Sequence, residues 1–197
     1  MEHAMATHED HFRAGKLLGL DHRKLGMWLF IASEVMFFGG LIAAFLTFKL
    51  GTPSTDSALL NVAQVGVNTF VLLTSSFTVV LALSAIRAGD QRGLRAFLGL
   101  TILLGAAFLS GQAFEFASLY REGLTLTSGV FGSSFFTLTG FHGLHVFIGV
   151  VWALRNLIKA MRGGYRAETS IGIELFGLYW HFVDIVWIVL FTIIYLI

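Results

Sequence analysis

No cysteine occurs anywhere in the chain, which removes disulfides and thiolate metal sites from consideration. Proline is almost as scarce. Pro53 stands alone, outside the long apolar runs, and those runs are free to form unbroken helices. Charge is thin too: Asp, Glu, Lys and Arg make up 13% of the 197 residues, against roughly a quarter in a soluble domain. No phosphate-binding glycine loop, nucleophile elbow or cysteine metal motif is present. The connecting segments are too short to hold a soluble catalytic domain. Residues 1–23 have no apolar signal-peptide core, so no cleaved targeting segment is expected.

What is abundant is apolar surface. Hydrophobic residues make up 56% of the chain and mean hydropathy is +0.79. The expected fold class is all-α: a polytopic membrane bundle of five transmembrane helices near 24–49, 62–87, 94–119, 130–158 and 173–197. Each run is long enough at 1.5 Å per residue to cross the roughly 30 Å hydrocarbon layer. The second run is rich in Val and Thr, but an open strand leaves its backbone unsatisfied in lipid, so helix is expected there as well. A polar arm holding His3, His8 and His11 precedes the first span, and a loop with Pro53 and Asp56 follows it. The histidines of the arm are read as solvated. The turn between spans two and three is short, which makes those spans antiparallel neighbours.

The basic residues set an expected orientation. Eleven of them (Arg13, Lys16, Arg23, Lys24, Arg87, Arg92, Arg95, Arg155, Lys159, Arg162 and Arg166) fall on the N-terminal side of the membrane, against Lys49 and Arg121 on the other. The positive-inside rule then places the N-terminus inside and the C-terminus outside. The thirteen cations follow topology, so nucleic-acid binding has no support.

Against this background the polar residues inside the spans stand out. Glu34 lies ten residues past Lys24, about 15 Å deep by helical rise. A glutamate there is protonated or paired, and reads either as a proton relay or contact to a headgroup or subunit, or as a packing residue in a polar cluster. His142 and His145 are three apart and share a face of span four, as do His181 and Asp184 on span five. They are open to two readings: metal ligation with Glu34 or Asp184, or hydrogen bonding to Asp184, Glu34, Ser or Thr on neighbouring helices. Gln112 and Glu115 sit one turn apart towards the outer end of span three. Glu174 reads as a helix-start acid near the inner cations of the fourth loop. Gly140, Gly143 and Gly149 are expected points of close helix approach. Trp28, Trp152, Tyr179, Trp180, Trp187 and Tyr195 are read as belt or packing residues.

Several blocks carry a family resemblance: W-L-F-I-A-S-E-V-M-F-F at 28–38, N-T-F-V-L-L-T-S-S-F-T at 68–78, G-Q-A-F-E-F at 111–116, T-G-F-H-G-L-H-V at 139–146 and E-L-F-G-L-Y-W-H-F-V-D-I-V-W at 174–187. In this order they resemble subunit III of the haem–copper respiratory oxidases. The resemblance implies a non-catalytic subunit packed beside the catalytic subunit I, with subunit II and other small membrane subunits as further partners. Haem and copper are then carried by the partners and no cofactor by this chain, apart from structural phospholipids. It places Glu34 at the family's carbodiimide-reactive membrane glutamate and His142, His145, Gln112, Glu115, His181 and Asp184 at its other recurrent polar positions, with proton uptake or lipid contact as their implied use. Five spans match the last five of the seven-span form and lack the first two. Two further readings remain open: an accessory subunit of a bacterial nitric oxide reductase, and an independent membrane proton or metal-site protein.

Overall fold

In the computed structural model, residues 21–51, 60–166 and 170–197 are described. The expected arm with His3, His8 and His11 and the loop with Pro53 and Asp56 lie outside them. Five helices among the described residues are long and apolar enough to cross a membrane: α1 (His22–Gly51), α2 (Val62–Arg87), α3 (Gln91–Arg121), α4 (Val130–Met161) and α5 (Ile171–Phe191), the last continued by a π-helical turn, Thr192–Leu196. Most of these helices run a few residues beyond their apolar runs, because polar caps at the ends still favour helix. Asn61 accepts a hydrogen bond from the Gln64 amide, and Asp90 from the amides of Arg92 and Gly93. The α2–α3 turn closes tightly because Gly89 adopts a left-handed φ of 76° and the Asp90 amide reaches back to the Ala85 carbonyl.

Four of the hydroxyls that make α2 polar are satisfied along their own helix. Thr69 donates to the Val65 carbonyl, Thr74 to Phe70, Ser75 to Leu72 and Thr78 to Ser75. Such back-bonding lets a Thr- and Ser-rich segment enter hydrocarbon without bare donors.

Helix α2 packs along α3, α3 along α4, and α5 runs between α2 and α4. Trp180 on α5 locks this arrangement. A Cβ placed on Gly105 of α3 would lie 2.9 Å from its ring, and one on Gly149 of α4 only 2.5 Å. The indole N–H donates to Ser75 of α2 at 3.0 Å. Four helices thus meet at one side chain because two of them carry no Cβ there. Gly143 likewise admits Gln112, whereas nothing lies within 4 Å of a Cβ on Gly140, so the expectation of close approach is corrected at that position.

Helix α1 is peripheral and touches α4 and α5. Most of its covered residues, Lys24, Met27, Ile31, Glu34, Phe38, Leu41, Phe45 and Lys49, recur every three or four positions along one stripe flanked by Ile42 and Leu46, and most of the remaining helix surface is exposed. A single stripe of this period is the pattern of a helix that packs along one seam.

Candidate functional site

Three polar clasps hold α1 against the bundle, and each uses a polar member of its packing stripe. At one end Lys24 Nζ meets Glu174 Oε1 at 2.6 Å, and Arg87 approaches Glu174 Oε2 at 3.6 Å. At the other end Lys49 Nζ donates to the carbonyl oxygens of Ile193 (3.0 Å) and Ile194 (3.5 Å) in the π-helical turn. Between them Glu34 Oε2 lies 3.2 Å from His145 Nε2. Glu174 therefore pairs with cations of α1 and α2, which corrects the expectation that its neighbours are the cations of the fourth loop. Its place in the first turn of α5 agrees with the helix-start reading.

Hydrogen bonds orient the imidazole of the central clasp. His145 Nδ1 lies 2.7 Å from the Phe141 carbonyl, which accepts only, so Nδ1 carries a proton and donates. Nε2 then faces Glu34 Oε2, and one proton held between them would give imidazolium against carboxylate or neutral imidazole against carboxylic acid. Either form is neutral overall, the least costly state for two ionisable groups in hydrocarbon. The Tyr179 hydroxyl donates to the His145 carbonyl at 2.9 Å and ties α5 to the same turn. The Phe38 ring, 5.1 Å from that of His145, covers the pair edge-on.

The other expected residues divide between separate places. His142 does not join the clasp. It is wholly buried, stacked on Trp187 at 4.8 Å and edge-on to Phe108, and neither ring nitrogen has a hydrogen-bond partner among the described residues. Gln112 donates to the Thr139 carbonyl at 2.9 Å and joins α3 to α4. Glu115, one turn further, accepts from the Tyr195 hydroxyl at 2.9 Å. His181 Nδ1 contacts Ser76 Oγ of α2 at 2.6 Å, and Asp184 is buried on the same face of α5. No three His, Asp or Glu side chains converge as a metal-holding group among the described residues.

Several residues of this network were read from the sequence as belt or packing residues. Trp180 and Trp187 direct their indole N–H groups to Ser75 and Thr69 of α2, and Tyr179 and Tyr195 direct their hydroxyls to α4 and α3. The available signal was their depth in the spans, where an indole or phenol donor has no water to bond.

Outside the spans, Tyr165 folds the fourth loop onto the bundle. It is 3% exposed, donates to Asn156 Oδ1 at 2.9 Å, accepts at its carbonyl from Gln91, and lies under Lys159 Nζ at 4.3 Å. Burial pushes its phenol above the ordinary value of 10.0, and Arg155 opposes the shift. On the opposite side of the membrane a cavity of about 500 Å³ opens between α1 and α4, lined among others by Leu41, Ala44, Phe48, Val130 and Leu138.

Comparison with known proteins adds the following. Residues 7–197 match the family profile described as cytochrome c oxidase subunit III. The chain is 40% identical to "Cytochrome c oxidase subunit 3" of Thermostichus vulcanus over 181 residues, covering 89% of this chain and 88% of that protein. It is 40% identical to "Quinol oxidase subunit 3" of Bacillus subtilis over 174 residues, 87% of this chain and 85% of that protein. It is 36% identical to "Probable quinol oxidase subunit 3" of Staphylococcus aureus (strain USA300) over 200 residues, 100% of this chain and 97% of that protein.

Proposed function

The chain belongs to the cytochrome c and quinol oxidase subunit III family, and on that footing we propose that it is the non-catalytic third subunit of a proton-pumping haem–copper terminal oxidase. It sits beside subunits I and II in a bacterial cytoplasmic membrane, N-terminus inside and C-terminus outside. Oxygen is reduced on the haem and copper of the partners. This subunit stabilises subunit I, retains phospholipid, and supports proton uptake.

The observation that carries the proposal is the Glu34–His145 clasp on a helix whose outer face is open. A neutral pair sharing one proton accepts or releases it with a small change in geometry, since both groups are already in hydrogen-bond contact. The clasp also fixes α1 against α4, and so holds the walls of the apolar cavity between those helices. That cavity suits an acyl chain, which would make lipid retention depend on the seating of α1. Equal identity to a cytochrome c oxidase subunit and a quinol oxidase subunit fits a chain that does not touch the electron donor.

The test is to purify the complex with and without this subunit and follow oxygen consumption over many turnovers. Loss of the subunit, or Glu34→Ala within it, is expected to shorten the active lifetime or lower the bound phospholipid while the fold of the variant persists. Equal rates, equal lifetimes and unchanged assembly of subunit I without the chain would refute the supporting role.

A further inference from the structure

Four carboxylates lie within the membrane-crossing helices: Glu34, Glu115, Glu174 and Asp184. Two are met by a base on a neighbouring helix, Glu34 by His145 and Glu174 by Lys24 and Arg87. Asp184 turns an enclosed oxygen into the bundle. Glu115 differs from the first two in having no base against it, and from Asp184 in lining an opening at the surface. It is 7% exposed, and the hydrogen bond it accepts comes from Tyr195 to Oε1. No cation of the described residues lies within ion-pair reach of it. Lys49, the basic residue at the C-terminal end of α1, is engaged by the carbonyls of the π-helical turn.

Glu115 lines a notch of about 240 Å³ between α2 and α3, together with Gln64, Asn68, Ala107 and Gly111. Asn68 donates its amide to the Phe108 carbonyl. The surrounding wall is apolar and open: Val67, Phe70 and Phe114 are 69%, 70% and 65% exposed. A buried carboxylate thus faces a small opening in an otherwise apolar, uncovered face.

We propose that this notch receives a lysine or arginine side chain from a transmembrane helix of a partner subunit. The inference rests on the reading of the chain as a subunit of a larger complex and names one point of contact. A counter-charge would offset the burial cost of a carboxylate at this depth. Tyr195 supplies one donor to a group that accepts about four. Glu34 and Glu174 each have a base on a neighbouring helix, and Glu115 has none among the described residues. The volume suits one long side chain. Glu115 stands six residues before the end of α3 at Arg121, about 9 Å along the axis, a depth that a helix-borne cation reaches directly. Gly111 gives its space to the Asn68 side chain of α2, and the small Ala107 keeps the α3 wall low beside it.

The test is a photo-crosslinking residue at Val67 in the complete complex in native membranes. The expected adduct joins Val67 to a transmembrane segment of a partner subunit that carries Lys or Arg. Glu115→Gln, which keeps an acceptor for Tyr195, is expected to reduce that adduct by at least about tenfold, because it strands a buried cation. Tyr195→Phe, which removes the internal donor and leaves the notch, is expected to preserve it. An adduct to lipid, an adduct to a segment without a basic residue, or a yield indifferent to Glu115→Gln overturns the proposal. Equal loss in both variants also overturns it, since the effect would then be structural. If the chain still co-purifies with the redox subunits in any of those cases, the notch alone fails. If it co-purifies with none, the subunit reading fails with it.

Discussion

Glu34 and His145 illustrate how a pair of ionisable residues survives in hydrocarbon. Removing either one alone strands the other, and a stranded polar group in a low-dielectric site costs more than the contact itself contributed. Glu34→Ala leaves Nε2 of His145 without its partner, and His145→Ala leaves the Glu34 carboxyl without its own. The double variant removes both groups and should be less destabilised than the sum of the two singles, with a coupling of roughly 1–2 kcal/mol. Thermal unfolding of the four proteins in one detergent measures it. Simple additivity would mean that the 3.2 Å contact contributes nothing and that α1 is held by its apolar stripe and its two end clasps. His142 offers the contrast on the same helix. Stacked on Trp187 and without a hydrogen-bond partner among the described residues, it stands apart from the clasp, and its spacing from His145 gave no sign of that difference.

Among the elements, α1 was the most legible and the fourth loop the least. Lys24, Glu34 and Lys49 fall on the same three-and-four stripe as Ile31, Phe38 and Phe45, so the seam of α1 can be read from the sequence once its polar residues are taken as inward. The fourth loop reads only as a run of cations, because nothing in its pattern announces that Tyr165 turns inward onto Asn156 and Gln91. Its burial has a consequence for pH. The Tyr165 phenol is raised above 10.0 in the folded state, so the unfolded chain loses that proton first as pH rises. The stabilisation is complete below the unfolded value and is lost as pH climbs from about 10 through the folded value. Tyr165→Phe should lower stability at neutral pH by about 1 kcal/mol for the lost hydrogen bond and flatten the alkaline decline. Melting curves across pH 8–11 on the two proteins would show it, and parallel declines would place the alkaline transition elsewhere.

Over the whole molecule, the count and nature of the spans were legible because lipid permits so few alternatives: an apolar run of this length must be helical. Which helix meets which was less so. The short α2–α3 turn dictated one pairing, but the meeting of four helices at Trp180 depends on Gly105 and Gly149 facing the same ring, a coincidence of two faces that no single segment reveals. Orientation is a property of the whole chain and follows from charge. Arg87, Arg92, Arg95, Arg155, Lys159 and Arg162 gather at one end of the bundle, where Lys24 also stands, while Lys49 and Arg121 mark the other. Translocation of Lys and Arg is disfavoured in short loops, so the crowded end should stay in the cytoplasm. The absence of cysteine makes this directly measurable. Glu122→Cys and Arg162→Cys place single thiols at exposed positions just past the ends of α3 and α4, on opposite sides of the membrane. In intact cells with a permeable outer layer, a membrane-impermeant maleimide should label the first and spare the second, and lysis should expose both. Labelling of Arg162→Cys alone before lysis would invert the bundle, place the cation-rich end outside, and put the Glu115 notch in the inner half of the membrane.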